Sequence, residues 1–447
     1  MRERTHLLQG VILVAAFFPS PAPAAERELD QDPPPSSASE IEAPIQRMFP
    51  EEPVRPPLFP WVRNRLQKLP AFFADTVLEA RFRTYYLRQE RAIDVPMVPS
   101  VSEAWAMGGS ISYRSGWLAE LFQVEVEGFT LQPIVAPENR PGTRLLAPVQ
   151  EGYGVLGIAN GKLRYKGLVL TGFRQYLDLP YVNRRDNRMT PNTYEAISLA
   201  KPEGDFRFFT GYSWKIKRRN SDSFQSFTEA FGAEKDRGFA YLGTVWDPNK
   251  GFHVGAYGGA VPDVQSKFYG ELGVGRDLID GVEGRFDGQF TYQWELGDDL
   301  LGALLDDTWN VGVRLSGSHA GAVFRLGLGI TGPDAPVVSL YGTNPSYGDL
   351  MQGTFNRADE KALSYDFASL EVGGLSCIVN FAAGFDGRVL GVASNRQEVD
   401  VTFDYRVKKG WLQHFWLRVR GSWLNEELAD RDGTDVRVIL NYNFPVI

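Results

Sequence analysis

Gly284-Arg285-Phe286-Asp287-Gly288-Gln289-Phe290-Thr291-Tyr292-Gln293-Trp294 decides how the rest of the chain is read. Successive side chains of a strand point to opposite faces. Phe286, Phe290, Tyr292 and Trp294 therefore share one face, and Arg285, Asp287, Gln289, Thr291 and Gln293 the other. One such segment fits a sheet in a soluble core equally well. Repetition decides between them. Trp309, Val311, Val313 and Leu315 alternate with Asn310, Arg314 and Ser316, and Phe324, Leu326, Leu328 and Ile330 oppose a face carrying Arg325. Val399, Val401, Phe403 and Tyr405 oppose Asp400, Thr402, Asp404 and Arg406. Leu417, Val419 and Trp423 oppose His414, Arg418, Arg420 and Ser422, and Val436, Val438, Leu440 and Tyr442 oppose Asp435, Arg437, Asn441 and Asn443.

Each segment is about 9–11 residues, the length that crosses a bilayer when tilted. Turn-rich stretches such as Asp386-Gly387-Arg388 and Asp432-Gly433-Thr434 separate them. Aromatic residues recur at segment ends (Tyr113, Trp117, Trp294, Trp309, Trp411, Trp423, Tyr442), where interfacial girdles belong. In lipid no backbone N–H or C=O can stay unpaired, so the sheet must close on itself. The fold class is all-β: a transmembrane antiparallel β-barrel over residues 71–447. At roughly 20 residues per strand with its connection, that span gives roughly 16 to 20 strands, and 16–18 leave an aqueous channel.

Arg2 and Arg4 precede an apolar run from Leu7 to Phe18, and Ala22-Pro23-Ala24 follows. About a dozen apolar residues cannot cross a core that needs ~20. The pattern reads as a secretory signal peptide, residues 1–24. Residues 25–70 form a second unit, in which Pro33-Pro34-Pro35, Pro53, Pro56-Pro57 and Pro60 remove backbone donors. This composition predicts a disordered periplasmic leader, with a short basic amphipathic helix possible over Trp61 to Leu69; a plug or an envelope tether are its alternatives. Export together with a barrel places the chain in the bacterial outer membrane.

A formal charge of −8 argues against nucleic acid as a partner without fixing where charges sit. Cys377 is the only cysteine, and His253, His319 and His414 have no metal-ligand spacing. No Gly-x-Ser-x-Gly elbow occurs. Neither an enzyme, a metal nor a cofactor is expected.

An Arg or Lys facing lipid at mid-depth costs about 2–4 kcal/mol, so the charged faces must point inward. They carry Arg81, Arg83, Arg285, Arg314, Arg325, Arg406, Arg418, Arg420 and Arg437; Lys215, Lys217 and Arg219 repeat the spacing. Rows of guanidiniums suit a path for carboxylates, which accept their forked pair of hydrogen bonds. The bland alternative pairs them with Glu79, Glu125, Glu127, Asp287, Asp400 and Asp404 to stiffen the wall; about half of them are expected to do so. Tyr176 to Glu195, with Arg184, Arg185, Asp186 and Arg188, is too irregular for a strand. Pattern alone favours an exposed loop there over one folded into the pore.

Arg83-Thr84-Tyr85-Tyr86-Leu87-Arg88, Leu145-Leu146-Ala147-Pro148, Tyr153-Gly154-Val155-Leu156-Gly157, and Leu179-Pro180 with Asp186-x-Arg188 and Pro191-x-Thr193-Tyr194 follow one another in a familiar order. Phe355-Asn356-Arg357-Ala358, Glu360-Lys361-Ala362, Tyr365-Asp366-Phe367 and Leu417-Arg418-Val419-Arg420 continue it. In this the chain resembles the OprD-type outer-membrane porins from about Asp75 to Ile447. It departs from their pattern at Ala196 and Asp359, where the family has Gly. The resemblance implies an 18-stranded monomeric barrel with inward-folded loops and a basic ladder, of which Arg83, Arg418 and Arg420 match best. It turns the reading of Tyr176 to Glu195 toward an inward constriction.

The expected function is passive, selective diffusion of small organic anions: carboxylates, amino acids and small peptides. The partners are outer-membrane lipid, those solutes and the barrel-assembly machinery. A barrel with a closed lumen, serving as an enzyme or an envelope attachment, is the alternative.

Overall fold

The computed structural model describes residues 57–92, 99–249, 251–279, 281–302, 306–389, 391–410, 412, 415–428 and 432–447. The expected signal peptide, the leader up to residue 56, Trp411 and His414 lie outside the described residues.

Two short helices, α1 (Pro60–Leu66) and α2 (Ala71–Ala74), precede the barrel. Its first six strands are β1 (Val77–Arg91), β2 (Val101–Arg114), β3 (Phe122–Val135), β4 (Tyr153–Tyr165), β5 (Leu168–Gln175) and β6 (Thr193–Lys201). The next six are β7 (Phe206–Lys217), β8 (Phe239–Asn249), β9 (Phe252–Val261), β10 (Gln265–Ile279), β11 (Val282–Glu295) and β12 (Thr308–His319). The last six are β13 (Ala322–Thr331), β14 (Lys361–Ala368), β15 (Leu375–Phe385), β16 (Arg396–Arg406), β17 (Phe415–Glu426) and β18 (Gly433–Pro445). All eighteen belong to one sheet. Each pairs antiparallel with its sequence neighbours, and β1 closes the ring on β18 with Tyr85 opposite Ile439 and Arg83 opposite Asn441. The sheet therefore has no edge, as a lipid-embedded sheet requires.

Burial follows parity. In β11, Phe286 and Phe290 are 41% and 39% exposed, whereas Asp287 and Gln293 are fully buried. Leu315, Phe324, Leu328, Phe403 and Trp423 are exposed in the same way on their strands, and Arg314, Asp400, Asp404 and Arg418 are buried. The exposed apolar face is the lipid face. Trp105, Trp309 and Trp423 lie toward one end of the barrel and Tyr165, Phe206 and Trp246 toward the other, all exposed, as two girdles.

The first described residues, 57–59, and the last, 445–447, lie at one end, and the connections there are short. Two-residue turns, Lys166-Gly167 and Ala320-Gly321, join β4 to β5 and β12 to β13 with left-handed backbone at both positions (φ 48° and 78°, 51° and 86°). This is the primed turn geometry that matches strand twist. Short turns mark the periplasmic end. Segments 136–152, 176–192, 218–238 and 332–360 all emerge at the opposite end and fold back inside.

The inward faces are not uniformly polar. Tyr85 and Leu87 of β1, Leu131 of β3 and Ile439 of β18 pack against Leu145 and Leu146 of segment 136–152. Phe209, Tyr241, Tyr257 and Tyr269 pack against Tyr181, Val182, Val337 and Tyr341 of two other inward segments. Wherever a loop folds onto the wall, the wall beneath it is apolar, because that contact is a protein core and not a water-lined surface. In β7 a register irregularity between Glu195/Ala196 and Lys215/Ser213 changes the parity. Past it, Lys215 is exposed, whereas Lys217 and Arg219 are buried beneath the inward loops, with Lys217 Nζ donating to Thr190 Oγ1 and Ser221 O.

Candidate functional site

Segment 176–192 crosses the barrel between β5 and β6. Asp178–Leu179 and Val182–Asn183 pair as a minute hairpin, turned at Tyr181 with φ 65°. The Tyr181 hydroxyl lies 2.6 Å from that of Thr291 on β11, across the interior. Asn183 clasps Thr343 of segment 332–360: its Nδ2 donates to Thr343 Oγ1 (2.8 Å) and its Oδ1 accepts from Thr343 N–H (3.0 Å). Arg188 Nε donates to Thr143 O (3.0 Å) in segment 136–152, and Asn192 Oδ1 accepts from Arg219 N–H (2.8 Å) in segment 218–238. Arg83 on β1 donates from Nη1 to Asp186 Oδ1 (2.8 Å) and to Arg188 O. The segment is thus a bar held on the wall and by every other long inward loop.

The charges at this bar do not balance. Arg184 is spent locally, on Asp178 (Nε–Oδ1 2.8 Å) and over the Tyr176 ring at 4.5 Å. Asp186 is taken by Arg83. Arg188 is buried and donates to backbone carbonyls. Arg185 and, on segment 136–152, Arg144 have no ion pair among the described residues, and both hold left-handed backbone (φ 43° and 57°). Such strain in non-glycine residues persists only where the surroundings impose it.

Burial pushes the Arg144 guanidinium well below its ordinary range, and the like charges of Arg185, Arg218, Arg188 and Arg91 push it further. Arg185 is pushed down to about 10 by burial, with Arg188 and Arg218 adding to the effect and Asp349 opposing it. Burial likewise lowers Arg218, which donates to Ala230 O (2.9 Å) and lies over Phe231. A guanidinium is not deprotonated in proteins, so these groups remain cations. Two buried donors in the bar, Arg185 Nε and Asn187 Nδ2, meet no acceptor among the described residues. Excess guanidinium charge with donors left over is a site chemically matched to an anion.

The wall arginines are placed differently. Arg285 Nε and Arg314 Nη2 share Asp287 (2.6 and 3.0 Å). Arg418 grips Asp404 with Nε and Nη2 (2.7 and 2.8 Å), and Arg437 grips Asp435 in the same forked way (2.8 Å each). Arg81 meets Glu79 at 3.2 Å. Arg420 Nε donates to Thr402 Oγ1 (2.9 Å), Arg406 lies over Trp416, and Arg325 stands opposite Asp366. With Arg83, at least six of the nine sequence-derived wall arginines are ion-paired to carboxylates. Arg91, Arg144 and Arg218 were not among the sequence candidates. Arg91 shares the parity of Arg81 and Arg83 on β1 and was legible; Arg144 sits in an aperiodic loop and carries no such signal.

Residues 70–446 match the family model described as outer membrane porin, OprD family. The chain belongs to that family. No curated protein matches it. Among solved structures, this OprD-family porin is similar to Pseudomonas aeruginosa OccK9 (OpdG) at 22% identity and TM-score 0.76, over 84% of this chain and 100% of that one. It is similar to P. aeruginosa OpdK with vanillate at 21% and TM-score 0.75 (83% and 99%), and to a BenF-like porin from Pseudomonas fluorescens Pf-5 at 18% and TM-score 0.76 (83% and 99%). At such identities the likeness carries the fold alone. Family and fold together place this porin in the bacterial outer membrane.

The family comparison also gives meaning to one departure. Asp359, at a position where the OprD-type pattern has Gly, has φ 63°. Glycine reaches that conformation freely, and Asp is among the few side chains that tolerate it. Its carboxylate is held by Arg388 (2.9 Å).

Proposed function

We propose that this porin passes small organic anions, carboxylates above all, by passive diffusion through a lumen whose selective point is the bar at 176–192. The observation that carries this reading is the group Arg91, Arg144, Arg185 and Arg218, drawn together, with no ion pair to Arg144 or Arg185 among the described residues. An entering carboxylate relieves that repulsion and supplies acceptors for donors such as Arg185 Nε. Wall arginines gripped by carboxylates, such as Arg418 and Arg437, serve mainly to stiffen the barrel. Several arginines offer successive contacts, so an anion can exchange one for the next, as conduction requires.

The relative OpdK was solved with vanillate, itself a carboxylate, which supports the same solute class here. No cofactor or energy source is invoked, and a single copy suffices. The apolar packing of the loops inside the barrel favours one rival reading, a closed lumen.

Single-channel recording in planar bilayers with a panel of carboxylates and matched cationic solutes separates the two. Current steps with concentration-dependent block by carboxylates support the proposal. Absence of conductance from heat-modifiable, folded protein supports the closed barrel.

A further inference from the structure

The segment 57–75 holds a second surface, unrelated to which solute is carried. Leu58, Phe59, Trp61, Leu69 and Phe73 are all exposed, and neither α1 nor α2 has a buried residue. Arg63, Arg65 and Lys68 are its basic side chains, and no acidic residue precedes Asp75 in it. A seven-residue helix is not stable alone in water. What holds it here is a set of rim contacts. Leu58 N–H donates to Pro445 O (2.7 Å) and Phe59 N–H to Val446 O (3.2 Å), just beyond β18. Arg63 Nη1 donates to Thr76 O (2.7 Å) at the start of β1. Gly116 N–H, in the β2–β3 turn, donates to Phe72 O (2.9 Å). A Cβ at Gly116 would stand 2.0 Å from Ala71 O, so only glycine allows α2 to approach this closely.

The anchors are β18, β1 and the β2–β3 turn, which are consecutive around the ring. The segment therefore follows the periplasmic rim and does not bridge the opening. Beside it, Leu118, Leu121 and Val126 continue the exposed apolar belt of the barrel to the same end. Arg65 lies over the Trp61 ring at 5.6 Å, an aromatic body with a cation at its edge, the pairing suited to a headgroup boundary.

We propose that residues 57–75 form a collar seated in the periplasmic leaflet of the outer membrane. Trp61, Phe59 and Phe73 enter the acyl boundary, and Arg65 and Lys68 hold the phosphodiester of an anionic phospholipid, phosphatidylglycerol. Apolar contact supplies depth, and the cations supply preference for negative headgroups.

The test uses the full porin in nanodiscs of phosphatidylcholine with phosphatidylglycerol. A nitroxide on Trp61→Cys in a Cys377→Ala background should be more accessible to oxygen than to a water-soluble nickel relaxant. Arg65→Gln with Lys68→Gln should lower phosphatidylglycerol retained on the detergent-extracted porin on the order of tenfold, with phosphatidylcholine unchanged. Neither residue is buried, and heat-modifiable migration verifies folding of each variant. A label freely reached by nickel, or lipid retention unaltered by the double variant, overturns the collar. So does a large rise in conductance on deleting 57–68, which would make the segment a plug, or nickel access that is lost only when periplasmic protein is added, which would make it a protein-docking site.

Discussion

Arg83 Nη1 and Asp186 Oδ1 lie 2.8 Å apart, joining the barrel wall at β1 to the bar that crosses the lumen. Arg83 also donates to Asn441 Oδ1 (2.8 Å) on β18, so one guanidinium ties the bar to the seam where the barrel closes. The pair is nearly buried on both sides. Removing one partner leaves the other desolvated, which is far costlier than losing a surface pair.

Asp186→Ala frees the middle of the bar and leaves Arg83 without its carboxylate. Single-channel conductance should rise and open-channel noise should increase. Arg83→Ala should do the same, and the double variant should add little to either. Additive effects would mean that the two side chains act separately.

Asp287 bridges Arg285 (2.6 Å) and Arg314 (3.0 Å), and all three are buried. Asp287→Asn removes the charge that two buried guanidiniums share. Folding stability should fall by about 3–5 kcal/mol, measured by urea unfolding in detergent, while ion selectivity of the folded fraction stays close to wild type.

Arg144→Ala and Arg185→Ala should have the opposite profile. Neither residue has an ion pair among the described residues, so thermal stability should hold or rise. Anion preference, read from reversal potentials in a salt gradient, should drop several-fold, on the order expected for one charge-assisted contact. Arg418→Ala, which breaks the Asp404 pair, should cost stability more than selectivity.

The fold was legible because parity is written along each strand: Phe286 and Asp287, or Val436 and Arg437, differ by one position and one face. The wall pairs were less so. Arg314 meets Asp287, and Arg418 meets Asp404, only because β11–β12 and β16–β17 pair in a particular register. That register depends on turn lengths that periodicity does not specify. The charge excess at the bar was harder still. Arg144, Arg185 and Arg218 come from three separate aperiodic loops, and only the inward fold of all three brings them together. The expectation of polar inward faces also missed Tyr85, Leu87 and Tyr257, whose inward contacts are loops and not water.

Glu360 predicts a pH dependence. Burial alone raises its pKa, but Arg396 and Arg357 outweigh burial and hold it below the usual 4.5. It closes segment 332–360 against the wall through Arg396 (2.9 and 2.8 Å) and Arg357 (3.1 Å). A depressed folded pKa contributes stability that is present above the unfolded value and lost as pH falls through the folded one. Conductance should therefore stay constant from neutral pH down past 4.5 and become noisy only at lower pH. Glu360→Gln should be noisy already at neutral pH.

The most direct measurement is the reversal potential of single wild-type channels across a gradient of the potassium salt of an organic carboxylate. If Arg144 and Arg185 select the permeant ion, the potential takes the sign of carboxylate flow and shifts toward zero in Arg144→Ala and Arg185→Ala. A potential of potassium sign in the wild type, or one unmoved by either substitution, contradicts an anion path through the bar.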